Sequence, residues 1–202
     1  MRKKSVVREW IEAIVIAVIL AFIIRSFVIQ AFKIPSGSME PTLLVGDHIL
    51  VNKFIYGVRI PFTNIKFLPF KKPQQGDVIV FIYPVDRKKD FIKRVIGVEG
   101  DKVEIISKKV YINDSQLDSS FAVYNDDAIL PKSVQPRDNY GPIIVPKDSL
   151  FVMGDNRDHS MDSRYWGFVR LSEVKGRAFI IYWSWDRFRH TLRWKRIGNL
   201  IP

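Results

Sequence analysis

The 202-residue chain contains no cysteine, which excludes disulfide scaffolds, thiol nucleophiles and zinc–thiolate sites. It is also short of acid: 21 Asp and Glu stand against 32 Lys and Arg, for a net charge of +11. That imbalance points to an anionic partner, either nucleic acid or a membrane surface. Zinc-finger spacing, an RNP-like aromatic strand and a KH-type loop are all missing. Anionic membrane lipids are therefore the expected partner, and no nucleic acid is. Internal repeats, low-complexity tracts and βαβ alternation are missing too, so a doubly wound parallel sheet is not expected. No second apolar run approaches membrane-spanning length; residues 178–183 are strand-sized.

The first apolar run is long. Residues 10–32 are almost continuously apolar, interrupted by Glu12, Arg25 and Gln30, and Arg2, Lys3, Lys4 and Arg8 precede them. The uncharged centre, 13–24, is shorter than the ~20 residues that span hydrocarbon. Trp10 and Arg25 can still sit at the two interfaces. A cleaved signal peptide and a buried core helix are the competing readings. Against cleavage, bulky Phe27, Val28, Ile29 and Phe32 occupy the place of a small-residue cleavage site. The run reads as a retained, single-pass transmembrane anchor. Its basic flank places residues 1–9 in the cytoplasm and 33–202 outside it.

Beyond the anchor, short β-like runs are punctuated by Gly, Pro and Asp. The candidates are 47–56, 77–83, 91–98, 102–106, 109–112, 143–145, 150–153 and 177–183. The expected fold class is mainly β, an antiparallel β-sheet domain behind one N-terminal transmembrane helix. Residues 58–73 mix Phe and Ile with Lys and suit either a lipid-touching hairpin or ordinary core strands. Residues 115–142, rich in Asn, Asp and Pro, read as an insertion or long loop.

Three stretches carry possible chemistry. In Ile34-Pro35-Ser36-Gly37-Ser38-Met39-Glu40-Pro41-Thr42, glycine lets backbone and hydroxyls approach a ligand, and the prolines fix the path. A serine there needs a base; the competing reading is a helix N-cap at Ser36 or Ser38. His48 and His159 each follow an aspartate and His190 lies in a basic tail, so a Ser-His-Asp set stays open. Lysine is the other choice. In Phe91-Ile92-Lys93-Arg94-Val95-Ile96-Gly97, alternation puts Lys93 with Phe91 and Val95, and Arg94 with Ile92 and Ile96. A guanidinium does not deprotonate in a protein, whereas a desolvated lysine does, so a base on this strand is Lys93. A solvated basic strand is the alternative. The third stretch, Gly154 through Gly167, is dense in Asp, Asn, Ser and Arg and reads as a hydrogen-bonded loop locked by pairs such as Asp162 with Arg164. Its acids do not follow EF-hand spacing, so no metal is expected there.

Together with the anchor and Gly76-Asp77-Val78-Ile79-Val80-Phe81, these stretches resemble the type I signal peptidases, bacterial membrane-bound Ser-Lys proteases, in order and over most of the chain. The resemblance implies a cofactor-free serine endopeptidase that removes signal peptides from exported precursor proteins at the cytoplasmic (inner) membrane. It implies Ser38 as nucleophile and Lys93 as general base. The Ser36 hydroxyl and Ser38 N–H would form the oxyanion hole, and Ser160 would hydrogen-bond and orient Lys93. Asp162 and Arg164 would brace the loop, with Asp155 structural and no histidine catalytic. His159 stands where asparagine is common in that family, and many relatives have two membrane spans. The rival reading is a non-enzymatic, membrane-tethered β module that binds lipid or a partner protein.

Overall fold

A computed structural model describes residues 6–23, 28–59, 66–67 and 71–202. Helix α1 (Val6–Ile23) opens the chain. Fourteen strands follow among the described residues: β1 (Ile29–Lys33), β2 (Asp47–Asn52), β3 (Val58–Arg59), β4 (Lys66–Phe67), β5 (Val78–Ile82), β6 (Asp90–Gly97), β7 (Lys102–Ile106), β8 (Lys109–Ile112), β9 (Ser115–Gln116), β10 (Tyr140–Ile144), β11 (Ser149–Met153), β12 (Val169–Arg170), β13 (Val174–Asp186) and β14 (Thr191–Leu192). A one-turn helix, α2 (Ser163–Trp166), lies between β11 and β12.

The main sheet has eight strands in the order β1-β2-β13-β5-β6-β11-β12, with β14 on β13. Every pairing in it is antiparallel. A four-stranded sheet, β10-β7-β8-β9, and the β3–β4 hairpin complete the set. The mainly antiparallel β domain expected from the sequence is what forms. Length allows β13 to join the sheet: residues 177–184 pair β2 and residues 174–177 pair β5, with register shifts on both sides. Such bulges bend a long strand so that it can serve two partners.

The sheet is covered on both faces around β5. Val78 and Val80 pack with Met39, Leu43, Ile49 and Val51. Ile79 and Phe81 pack with Val95, Leu150, Val152 and Val174 on the other face. Strand alternation assigns neighbours to opposite layers. Doubly covered strands read as continuous apolar runs, which is why Val78–Ile82 shows no polar alternation.

Several boundaries differ from the expectations. The predicted anchor, 10–32, is not one helix: α1 ends at Ile23 and residues 29–33 are β1, paired with β2 from Ile29↔Asn52 to Lys33↔His48. Gln30 and Lys33 weaken an apolar helix there, and the open edge of β2 supplies ladder hydrogen bonds. No helix of the described residues is long and apolar enough to cross a membrane. Strand 47–56 stops at Asn52, whose Oδ1 accepts from the Ile55 N–H to start a 3-10 turn at Phe54–Tyr56. Within residues 58–73 the backbone pairs as a hairpin, Val58↔Phe67 and Arg59↔Lys66, with its tip outside the described residues.

Candidate active site

The serine stretch is shaped by what it buries. Ile34, Met39 and Leu43 enter the core, leaving Ser36 exposed and Ser38 half-buried. Glu40 N–H donates to Gly37 O at 3.1 Å and Leu43 N–H to Met39 O at 2.9 Å, so the segment is a run of turns and caps no helix. Among the described residues, neither the Ser38 N–H nor the Ser36 hydroxyl has a hydrogen-bond partner. Thr42 ends the stretch with its hydroxyl donating to Asp155 Oδ2 at 2.6 Å.

Strand β6 brings two cations to this loop. Lys93, paired opposite Ile79, is only 4% exposed, and its Nζ donates to Ser38 Oγ at 2.6 Å. The Phe91 ring lies 5.5 Å from Nζ. Burial lowers the Lys93 pKa to about 8, against the opposing pull of the Asp162 and Asp155 carboxylates; the Arg164 charge adds to the lowering. A fraction of the amine is then neutral near physiological pH and able to take up a proton.

Arg94, the next residue, makes a two-pronged contact with Asp155: Nε to Oδ1 at 2.9 Å and Nη2 to Oδ2 at 2.8 Å. Its Nη1 donates to Gly76 O at 2.8 Å, and the Phe121 ring lies 4.1 Å from its guanidinium. A planar fork suits a buried carboxylate in this way. Through Thr42 and Asp155, β6 grips the far end of the loop whose serine Lys93 touches.

The loop after β11 closes the site. Gly154 is needed there, because a Cβ would collide with the Ser38 carbonyl oxygen and Ser160 Oγ. Asp162 is fully buried and accepts from Arg164 Nε and Nη2, both at 2.8 Å, and from the Gly154 N–H at 3.1 Å. Burial would raise its pKa, but the Arg164 charge and hydrogen bonds outweigh that and hold it below the usual carboxylate range. Arg164 also donates to the carbonyls of Arg137 at 2.8 Å and Arg157 at 2.7 Å. The predicted Asp162–Arg164 brace is thus present. The acids of this loop are each taken by a cation: Asp155 by Arg94, Asp158 by Lys108, Asp162 by Arg164.

The expected Ser160–Lys93 hydrogen bond is not made. Ser160 Oγ is buried against Gly154 without any partner, while Lys93 Nζ is turned to Ser38. The histidines stand apart. His48 sits in β2 with its ring edge-on to Tyr182 at 5.9 Å, and His159 and His190 are exposed.

Two contributors were missed. Asn156 donates its backbone N–H to Ser38 O and its Nδ2 to Gly37 O, each at 3.2 Å. Residues 115–142, expected as a mere insertion, reach this clamp: Asn125 Nδ2 donates to Asn156 Oδ1 at 2.5 Å, and Val123 exchanges backbone bonds with Asp155 and Arg157 at 2.8 and 2.9 Å. The signal for Asn156 was its place within the polar 154–167 run. Polar composition in 115–142 gave no hint of where it would dock.

The family model for signal peptidase, peptidase S26, matches residues 7–183. Signal peptidase I of Buchnera aphidicola subsp. Acyrthosiphon pisum (strain APS) is 37% identical, over 89% of this chain and 77% of its own length. Probable signal peptidase I-2 of Synechocystis sp. is 39% identical, over 88% and 75%. Signal peptidase I P of Bacillus subtilis subsp. natto is 34% identical, over 94% and 96%.

Proposed function

The chain belongs to the signal peptidase family, peptidase S26, and from that membership we propose that it removes N-terminal signal peptides from exported precursors with Ser38 as nucleophile and Lys93 as general base. The observation that carries the assignment is the 2.6 Å contact between Lys93 Nζ and Ser38 Oγ, made by a buried amine whose pKa is pushed down to about 8.

In this reading neutral Lys93 takes the Ser38 proton as Oγ attacks the scissile carbonyl. The Ser38 N–H and Ser36 hydroxyl receive the oxyanion, each such donor commonly contributing a few kcal/mol. The Lys93 ammonium then protonates the leaving amine, and water, deprotonated by the regenerated amine, hydrolyses the ester on Ser38. Arg164 and Asp162 hold the supporting loop, and Asp155 holds Arg94 and Thr42. Ser160, whose hydroxyl has no other partner, is assigned to orient the ammonium during turnover.

Helix α1 supports a membrane location. Trp10, Ile14, Val18 and Phe22 are exposed, as are Ile11, Val15 and Ile19 on other faces. A helix apolar all round belongs in lipid or in a core, and this one packs in no core cluster. We assign residues 1–9 to the cytoplasm and the anchor to a single pass that ends before β1. The β domain then lies outside the cytoplasm against anionic lipid. Protease protection of membrane vesicles tests that topology.

The test of the chemistry is cleavage of a purified signal-bearing precursor by wild type, Ser38→Ala and Lys93→Ala, all folded by circular dichroism. Cutting by wild type alone is expected. Equal cutting by all three would place the nucleophile elsewhere.

A further inference from the structure

Away from Ser38 and Lys93, a cleft of about 550 Å³ is lined by Lys71, Lys72, Lys147 and Arg170 together with Pro73 and Leu171. We propose that this cleft binds the phosphate-bearing head group of an anionic phospholipid. The proposal rests on the membrane location assigned above, and not on the peptidase chemistry.

Charge comes first. Four cations face one carboxylate, Asp148, across the cleft, and none of the four is in an ion pair among the described residues. Several cations elsewhere on the domain are paired instead: Lys108 with Asp158, Arg137 with Asp138, Arg177 with Asp77 and Arg196 with Asp47. Clustered unpaired cations in a concave site attract an anion more strongly than the same charges dispersed over a surface.

Shape comes second. The cleft adjoins a depression of about 260 Å³ that shares Lys72, Pro73, Ser149 and Leu171 and adds Val98, Leu150 and one carboxylate, Glu99. Cations beside apolar walls fit a phosphodiester with glycerol attached better than they fit free phosphate.

Position decides the class of ligand. The Lys71 N–H donates to Ile55 O at 3.0 Å, tying the cleft to the turn after β2. In that turn the Lys53 N–H donates to Val28 O at 2.9 Å, and Ile29 pairs Asn52. The cleft therefore lies at the end of the sheet where the chain arrives from its apolar N-terminal segment. The other basic group, around Arg187 and Arg189, lies at the opposite end of β13, where Ser184 pairs Asp47.

The experiment uses the full chain in uncharged detergent micelles, titrated with head-group-labelled phosphatidylglycerol or phosphatidylcholine and read by energy transfer from tryptophan. Saturable transfer is expected for phosphatidylglycerol alone. The variant K72Q/K147Q/R170Q should bind it on the order of a hundredfold more weakly, at about fivefold per basic side chain removed. R187Q/R189Q/K195Q, which loses the same charge from the far end, should stay within a few-fold of wild type. Unchanged binding by the cleft variant, or equal losses in both variants, would overturn the site. Competition by soluble glycerol phosphate as effective as by the lipid would overturn the lipid assignment. Peptide cleavage in the same micelles separates the two readings: lipid saturation without cleavage fails the peptidase assignment alone, and cleavage without saturation fails the lipid site alone.

Discussion

Lys93 and Arg94 are consecutive residues of β6, exposed by only 4% and 2%, yet the two sides of the strand treat them differently. On one side the amine meets a hydroxyl and no hydrogen-bonded carboxylate. On the other the guanidinium is gripped through both prongs by Asp155 and further satisfied by the Gly76 carbonyl. Removing a charge from water costs several kcal/mol unless a partner compensates. Arg94 receives that partner and stays charged, fixing Thr42 and with it the serine loop. Lys93 is denied one at close range, and the cost is expressed as a lowered pKa, which is what a base requires. One side of β6 holds structure, and the other holds the group proposed to react.

Exchanging the chemistry on each side separates the two roles. The largest effect should come from Lys93→Met. Removing the base is expected to reduce kcat/KM by on the order of 10⁴-fold or more, while urea denaturation shows stability unchanged or higher, because a desolvated amine has been replaced by an apolar chain. Arg94→Met should do the reverse. It strands Asp155 and should cost about 3–5 kcal/mol in the same urea measurement. The double variant with Asp155→Asn should recover a large part of that loss.

The pH profile sharpens the contrast. With Lys93 as the proposed base the active form is the deprotonated one, so kcat/KM should fall about tenfold per unit as pH drops below about 8. A flat profile down to pH ~6, with circular dichroism unchanged, would remove Lys93 as the base. Smaller again is Asn156→Ala, which deletes the side-chain bond to Gly37 O. It should lower kcat by about tenfold, in keeping with ~1–2 kcal/mol for one positioning bond, and leave the profile's midpoint in place. The smallest effect concerns Ser160, whose buried hydroxyl has no partner. Ser160→Ala should be neutral or about 1 kcal/mol stabilising by thermal unfolding, with any activity lost reporting its contact with the ammonium during turnover.

Much of the site was legible because its parts are local. The serine stretch and β6 each stood out within a few residues, and the preference for Lys93 over Arg94 on that strand followed from what each side chain can do with a proton, while the pairing of Lys93 with Ser38 came from the family resemblance. The Asp162–Arg164 brace was readable because two positions on a short turn cannot avoid one another. By contrast, the Asn156 clamp and the docking of Asn125 depend on where a polar, aperiodic segment comes to rest. Nothing in the composition of 115–142 fixes that. The end of the apolar run was misplaced for a related reason. Gln30 alone interrupts the apolar run between Ile29 and Phe32, and the presence of β2 as a partner is what makes residues 29–33 a strand.

The sequence by itself determined the available chemistry: no thiol, a lysine able to lose its proton beside an arginine unable to, hydroxyls on a glycine-hinged turn, and short β runs that exclude a parallel doubly wound sheet. Tertiary structure decided who meets whom. Lys93 and Ser38 are 55 positions apart, Arg94 and Asp155 61, and Thr42 and Asp155 113. Periodicity acts over a turn or a strand and is silent at such separations. Which side of β6 would find a carboxylate, and which would be left with only a hydroxyl, was set when β11 paired with β6 and brought the 154–167 loop over the serine turn.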